Sequence, residues 1–241
     1  MSDDRLKNEI EHGKLLRQSW SGQFWYWETP AGKRRFLRRL KLITSHIKPD
    51  MKVLELGCGV GYFTEYLAQT NAYIVANDIS PDLLDVAKSR VVATNVEFKV
   101  ENAYDLTYSD DTFDSVVGSS VVHHLELEDA VKECFRVLKP GGSIYFAEPN
   151  LMNPHVFLER SHKVIRRMAN VSPNETAFLR GSLHKVLAAH KFRNISIVPF
   201  DFLHPLTPPP LIPFVENVGR YLERIPILKE FSGSLFITAQ K

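Results

Sequence analysis

The 241-residue sequence predicts an α/β fold, a mainly parallel sheet covered by helices on both faces. Three observations predict it. β-branched and aromatic runs of five to seven residues recur from Lys52 onward, helical stretches separate most of them, and the first run leads directly into the glycine turn "GCGVG" at 57–61. Strand–helix alternation builds parallel crossovers, and the ligands of such sheets sit beyond the carboxyl ends of the strands.

Residues 1–48 read as a helical N-terminal cap, broken near Thr29-Pro30, where proline suits the first position of the next helix. "KRRFLRRLK" (33–41) puts six basic residues in nine, with Phe36, Leu37, Leu40 and Ile43 at helical spacing. That is an amphipathic helix with a positive outer face, either simply solvated or turned toward an anionic substrate or membrane surface. "WSGQFWYWE" (20–28) carries five aromatics in eight residues. They form the core of the cap, or residues 20–47 are a lid over a ligand to which Tyr26 offers its hydroxyl.

Residues 49–241 hold the main domain. "KVLEL", "YIVAND", "VEFKV", "FDSVVGS" and "SIYFAE" are five strand candidates, and "NISIVPF" and "SLFITAQ" complete seven. Ser80 caps and Pro81 opens the helix "PDLLDVAKSR". "LEDAVKECFRVL" is amphipathic and stops at "KPGG", and "AFLRGSLHKVLAAHKF" precedes the sixth strand. Insertions at about 150–172 and 203–230, the second proline-rich with one short helix, interrupt the plan and read as substrate-side elaborations.

Thirty basic against 28 acidic side chains leave +2, which argues against a dedicated nucleic-acid binder. Cys58 and Cys134 show neither metal nor disulfide spacing. No apolar run approaches the length of a membrane span and the N-terminus is not signal-like, so a soluble, cytoplasmic protein is expected.

The glycine turn narrows the ligand. A dinucleotide site wants G-x-G-x-x-G, but here Tyr62 stands three beyond Gly59 and the glycine comes early, at Gly61. No Gly-Lys-Ser/Thr follows, so a P-loop is excluded. Glu55, in a strand covered on both faces, needs a cationic ligand or loop N–H groups to offset its burial. Asp78 ends the second strand, 21 residues after Gly57, where an acid accepts from ribose hydroxyls. Helix capping is the competing role, and Ser80 already supplies the cap. A nucleoside without pyrophosphate, bearing a cationic amino-acid tail, satisfies these features: S-adenosylmethionine.

The segments "VLELGCGVGYFTEYLA", "NDISPDLLDVAKSR", "VEFKVENAYDL", "DDTFDSVVGSSVVHHL" and "AVKECFRVLKPGGSIYFAEPN" follow one another across 53–150. Together they resemble class I S-adenosylmethionine-dependent methyltransferases, closest to the small-molecule group that includes the quinone-biosynthesis type. The resemblance implies a Rossmann-like, doubly wound, seven-stranded sheet whose last strand is antiparallel. It implies that Glu55, Gly57, Cys58, Gly59 and Gly61 hold the methionine portion, Asp78 the ribose, and Ile79 the adenine face. The family's usual Asp-Ala after the third strand is here Asn102-Ala103, an uncharged acceptor for adenine N6 beside a backbone donor. Backbone at Ser119 commonly lines the cofactor. Tyr26 is the cap's candidate, for the methionine carboxylate or the acceptor.

Methyl transfer from a sulfonium is an in-line displacement that needs alignment more than acid catalysis. A base is required only for an acceptor protonated at working pH. His123 and His124 after strand four and Glu148 at the end of strand five are candidates, with His124 preferred; the alternative is that the histidines structure the turn or pack against the cofactor. They are not read as part of a metal-ligand cluster, so no metal is expected. Cys58 is a small residue chosen for fit, or a reactive thiol without a basic neighbour. The expected activity is methyl transfer to oxygen, nitrogen or carbon of a small molecule, an anionic one included. Nucleic acid is disfavoured, since no Asn-Pro-Pro-aromatic motif is present. A non-catalytic cofactor-binding subunit and a lipid-linked or phosphorylated acceptor are the alternatives.

Overall fold

The computed structural model describes residues 3–18, 26–162, 165–166 and 175–241. Seven strands form one sheet: β1 (Lys52–Glu55), β2 (Tyr73–Asp78), β3 (Val96–Val100), β4 (Phe113–Ser119), β5 (Leu138–Pro149), β6 (Arg193–Phe200) and β7 (Ser234–Gln240). Their spatial order is β3-β2-β1-β4-β5-β7-β6. β7 runs antiparallel to both β5 and β6, and every other pairing is parallel. The expected doubly wound sheet with an antiparallel final strand is therefore observed.

Parallel strands buried on both faces read as continuous apolar runs, and here they do. Val53, Leu54, Ile74, Val75, Val116 and Val117 are at most 1% exposed. Helices cover both faces: α1 (Asp3–Gln18), α2 (Pro30–Thr44), α3 (Tyr62–Leu67), α4 (Pro81–Arg90), α5 (Leu127–Val137), α6 (Pro154–Ser161), α7 (Arg180–Ala189) and α8 (Ile212–Leu222). One core packs Leu54, Val116 and Phe146 against Val131 of α5 and Leu183 of α7; the other packs Val53 and Ile74 against Ile43 of α2 and Leu84 of α4. Local chemistry sets the helix starts. Thr29 Oγ1 accepts from Gly32 N ahead of Pro30, and Ser80 Oγ accepts from Leu83 N around Pro81.

The "KPGG" segment departs from expectation. α5 does stop at Val137, but β5 begins at once with Leu138 and runs through the prolyl-glycyl residues. Its neighbours recruit it from both sides: Lys139 Nζ donates to Asp114 Oδ1 at 2.8 Å, and Gln240 Nε2 donates to Gly141 O at 2.9 Å. The irregularity survives as a register shift opposite Phe113–Ser115, with Gly141 at φ 82°.

The basic helix α2 also differs from a simple positive face. Arg35 Nε donates to Asp201 Oδ2 at 2.7 Å, Arg34 Nη1 to Glu216 Oε2 at 3.0 Å, and Arg38 makes two bonds to Glu223. These charges clamp the segment 201–223 onto α2. Asp201 is 3% exposed, and without Arg35 it keeps, among the described residues, only the Leu203 N–H and the unbonded charges of Arg38 and Arg39. Arg35→Ala is expected to lower stability by about 3 kcal/mol in urea unfolding at neutral pH. A change below about 0.5 kcal/mol would show that the pair carries no weight.

Candidate active site

The carboxyl ends of β1, β2 and β4 open into one cavity, roofed by α1. β1 delivers Glu55 and the glycine turn to its floor, β2 delivers Asp78 and Ile79, and the loop after β3 delivers Asn102 and Ala103. Ser119, Ser120, Val121 and His124 come from the end of β4, and Leu6, Glu9 and Gly13 come from α1.

Each glycine of the turn has a separate reason. A Cβ on Gly57 would stand 2.2 Å from Val121 Cγ2, and one on Gly61 would crowd Ala87 of α4 at 3.1 Å. Gly59, at φ 54°, would meet nothing within 4 Å: its missing side chain is cavity space. Gly59→Ala is accordingly expected to cost about 1–2 kcal/mol of backbone strain but to reduce adenosyl-donor affinity more than a hundredfold. Thermal melts and calorimetric titration separate the two, and unchanged affinity would remove the turn from the ligand site.

Two acids flank the turn. Asp78 Oδ2 accepts from Gly59 N and Oδ1 from Ser80 N, each at 2.9 Å, so it braces the loop while each oxygen keeps a second lone pair. Burial raises its pKa, and those two N–H groups offset part of the rise. Glu55 is 3% exposed, and its Oε2 has no hydrogen-bond partner among the described residues. Burial pushes its pKa up to about 7 despite the neighbouring Thr64, with Asp78 adding to the rise. A buried carboxylate oxygen with nothing to bond is what a cationic ligand would complete. Cys58 lies buried on the same floor; burial, Glu55 and Asp78 all push its thiol up, which makes it an inert spacer.

The turn after β4 separates the three candidate bases. Glu148 Oε1 accepts from Val121 N and Val122 N at 3.0 Å, while its Oε2 takes His123 Nδ1 at 2.8 Å and His123 N at 3.3 Å. Both oxygens are committed to holding the turn. Burial opposes that charge, yet the His123 bond and these N–H groups hold the carboxyl below its ordinary range. His123 is 5% exposed, faces Glu148, and its pKa is lowered by burial and by His124. Neither is placed to be a base. His124 does line the cavity, and its Nδ1 lies 3.4 Å from Glu9 Oε2 of α1. Burial opposes the imidazolium, but Glu9, Glu175 and Glu148 outweigh it and raise the pKa.

Folding also brings a carboxylate from a distant part of the chain beside these histidines. Glu175 Oε2 is 3.8 Å from His123 Nε2 and 3.2 Å from Arg160 Nη2, which supplies that carboxylate with a cationic partner. His123, His124 and Glu175 offer ligand atoms within 4.8 Å of one another.

Of the sequence-derived site residues, Glu55, Gly57, Cys58, Gly59, Asp78, Ile79, Asn102, Ala103, Ser119 and His124 line this one cavity. Gly61 stands behind it, against α4. Tyr26 does not reach it. At φ 54° it occupies a turn closed by Thr29 N donating to its carbonyl, and its side chain is 41% exposed. Trp27 lines the cavity in its place. The remaining aromatics of that run, Trp20 to Trp25, lie outside the described residues. Asn102 Oδ1 already accepts from Tyr104 N at 3.1 Å, which fixes the amide's orientation.

Arg39 does not line the cavity but braces its wall, a role hidden in the sequence by the basic run. It is 4% exposed, donates to Ser120 Oγ at 3.0 Å and to Ala147 O at 3.3 Å, and lies 5.6 Å from the Trp27 ring. Burial lowers its pKa to about 10, still cationic at neutral pH. Glu9 was missed as well, although a signal lay nearby. Gly13 sits inside a helical stretch, and a Cβ there would stand 2.4 Å from Ser80 Oγ, so α1 approaches the cavity rim closely.

Residues 54–146 match the Methyltransferase domain family. This segment is a class I S-adenosylmethionine-dependent methyltransferase domain. The chain is 32% identical over 153 residues to the ubiquinone biosynthesis O-methyltransferase of Coxiella burnetii, a match covering 60% of this chain and 64% of that protein. The methyltransferase GfsG of Streptomyces halstedii is 32% identical over 154 residues, covering 56% of this chain and 54% of that one. The chain thus spans less than two thirds of the curated relatives it matches. Among solved structures, a possible histamine N-methyltransferase of Thermotoga maritima superposes with a TM-score of 0.68 at 18% identity, covering 95% of this chain and 98% of that one. NodS of Bradyrhizobium japonicum, solved with S-adenosyl-L-homocysteine, gives 0.65 at 16% identity, covering 97% and 98%. Both share the fold of this methyltransferase domain, and the cavity lies beyond the carboxyl ends of the strands, where doubly wound sheets take their ligands. No helix among the described residues is long and apolar enough to cross a membrane.

Proposed function

We propose that the protein transfers a methyl group from S-adenosylmethionine to a hydroxyl of a small molecule, with His124 as the base. The observation that carries this reading is the placement of His124, with Glu9 beside it, in the same cavity as the unpartnered Glu55 oxygen and Asp78. When bound, S-adenosylmethionine supplies an electrophilic methyl carbon and a neutral thioether leaving group.

Glu55 would take the donor's ammonium, Asp78 both ribose hydroxyls, Ile79 an adenine face, and Asn102 with the Ala103 N–H the adenine edge. The backbone at Gly57, Cys58 and Gly59 would lie along the methionine chain, with Ser119 at its far side. His124 then receives the acceptor's proton as the oxygen–carbon bond forms, which neutral nitrogen acceptors would not require. Residues 1–48 act as a lid in this reading: α1 and Trp27 keep water from the transfer. The similarity to an O-methyltransferase supports oxygen as the acceptor atom.

Donor binding is tested by thermal shift. A ligand at 100 times its dissociation constant stabilises by about 2.7 kcal/mol. S-adenosylmethionine and S-adenosylhomocysteine should both raise the melting temperature and NAD should not; the reverse pattern would overturn the assignment. Transfer is tested with radiolabelled donor against phenols, alcohols and amines, and a product methylated only on nitrogen would remove the role given to His124.

A further inference from the structure

Helix α8 is apolar on two faces. Ile212 and Val215 turn inward onto Ala31 and Leu203, and Gly219 packs on Phe202. Leu211, Phe214, Val218 and Tyr221 follow at spacings of three, four and three residues and line the opposite side, 51%, 67%, 40% and 64% exposed. Surface helices ordinarily confine apolar residues to one face, and a solvent-facing row of large ones marks an interaction surface.

The charges say what kind. Both acids of α8 and its C-terminus are spent on the inner side, Glu216 on Arg34 and Glu223 on Arg38. Arg220 and Arg224 are exposed on one side of the apolar row; at 100° per residue Arg224 stands about 60° and Arg220 about 100° from Tyr221 at its edge. The outer side of the helix is therefore apolar and cationic, with no acid. A second copy of the same face would bring arginines against arginines, with their acids already committed. A layer of anionic headgroups over hydrocarbon complements both features.

We propose that α8 seats the protein on an anionic lipid bilayer, with Phe214, Val218 and Tyr221 entering the headgroup–acyl boundary and Arg220 and Arg224 meeting lipid phosphates. Position supports it. β6 runs parallel to β5, so the connection bearing α8 leaves the same sheet edge onto which the cavity opens.

Co-sedimentation with vesicles tests this. The protein should partition onto phosphatidylglycerol-containing vesicles about tenfold more strongly than onto pure phosphatidylcholine, and less at high salt. The double variant Phe214→Asp/Tyr221→Asp should lose that binding while keeping its melting temperature and its S-adenosylmethionine affinity. Arg220→Glu/Arg224→Glu should lose only the preference for anionic lipid. No partition onto either vesicle would overturn the proposal, as would binding that neither variant alters. Concentration-dependent dimerisation that Phe214→Asp/Tyr221→Asp abolishes, without vesicle binding, would assign the face to a second copy instead.

Discussion

Glu55→Gln is expected to make the ligand-free protein more stable at about pH 8 and to loosen its hold on S-adenosylmethionine. The two effects have one origin. An acid whose folded-state pKa is raised costs nothing below its unfolded value, since both states keep the proton. The cost grows between 4.5 and about 7 and is complete above that. A rise of that size corresponds to about 3 kcal/mol, most of which the neutral amide would recover. The same substitution removes a charged acceptor for the donor's ammonium, worth about ten- to a hundredfold in affinity. In the native protein, donor binding should release a proton from Glu55, so affinity should climb by at most about tenfold per pH unit up to neutrality and then level off. Calorimetry in buffers of different ionisation enthalpy reads that proton directly. Binding without proton release at about pH 6.5 would show that Glu55 does not face the ammonium.

His124→Ala is expected to cut turnover by about 10²- to 10⁴-fold, the usual reach of a positioned base, while donor affinity changes little. Glu9→Gln supplies the finer test. The groups bearing on His124 are Glu9, Glu175 and Glu148, with His123 and Asp78 nearby. Glu9 favours the imidazolium, whereas a base works as the neutral imidazole. Removing Glu9's charge lowers the pKa, so the acidic limb of the kcat profile should move to lower pH. A limb that stays in place in Glu9→Gln, or moves upward, would break the link between α1 and the base. Turnover unaffected in His124→Ala would leave the transfer to alignment alone.

Much of this was legible because it is local. The strands are contiguous β-branched runs, Thr29-Pro30 and Ser80-Pro81 announce their helices, and the glycine turn with its two acids lies within 24 residues, from Glu55 to Asp78. What stayed hidden depends on distant partners. "KPGG" reads as a turn until Asp114 and Gln240 hold it in a strand. The arginines of α2 look solvent-facing until residues 201–223 bring Asp201, Glu216 and Glu223 to them. Glu148 and His123 look like bases until each is seen to satisfy the other, and nothing in the local sequence says that Glu9 lies beside His124. Tyr26 has the hydroxyl and so the stronger claim in sequence, but its left-handed turn leaves it exposed and it is Trp27 that lines the cavity.

The strand order has a consequence for biosynthesis. β6 joins the sheet only through β7, and β7 is inserted between it and β5, which precedes both in the chain. A nascent chain that has emerged as far as residue 233 therefore has an open β5 edge and a β6 segment with no strand to join. The ribosome must release residues 234–240 before that edge closes. Until then, the open edge is a template on which another chain can pair.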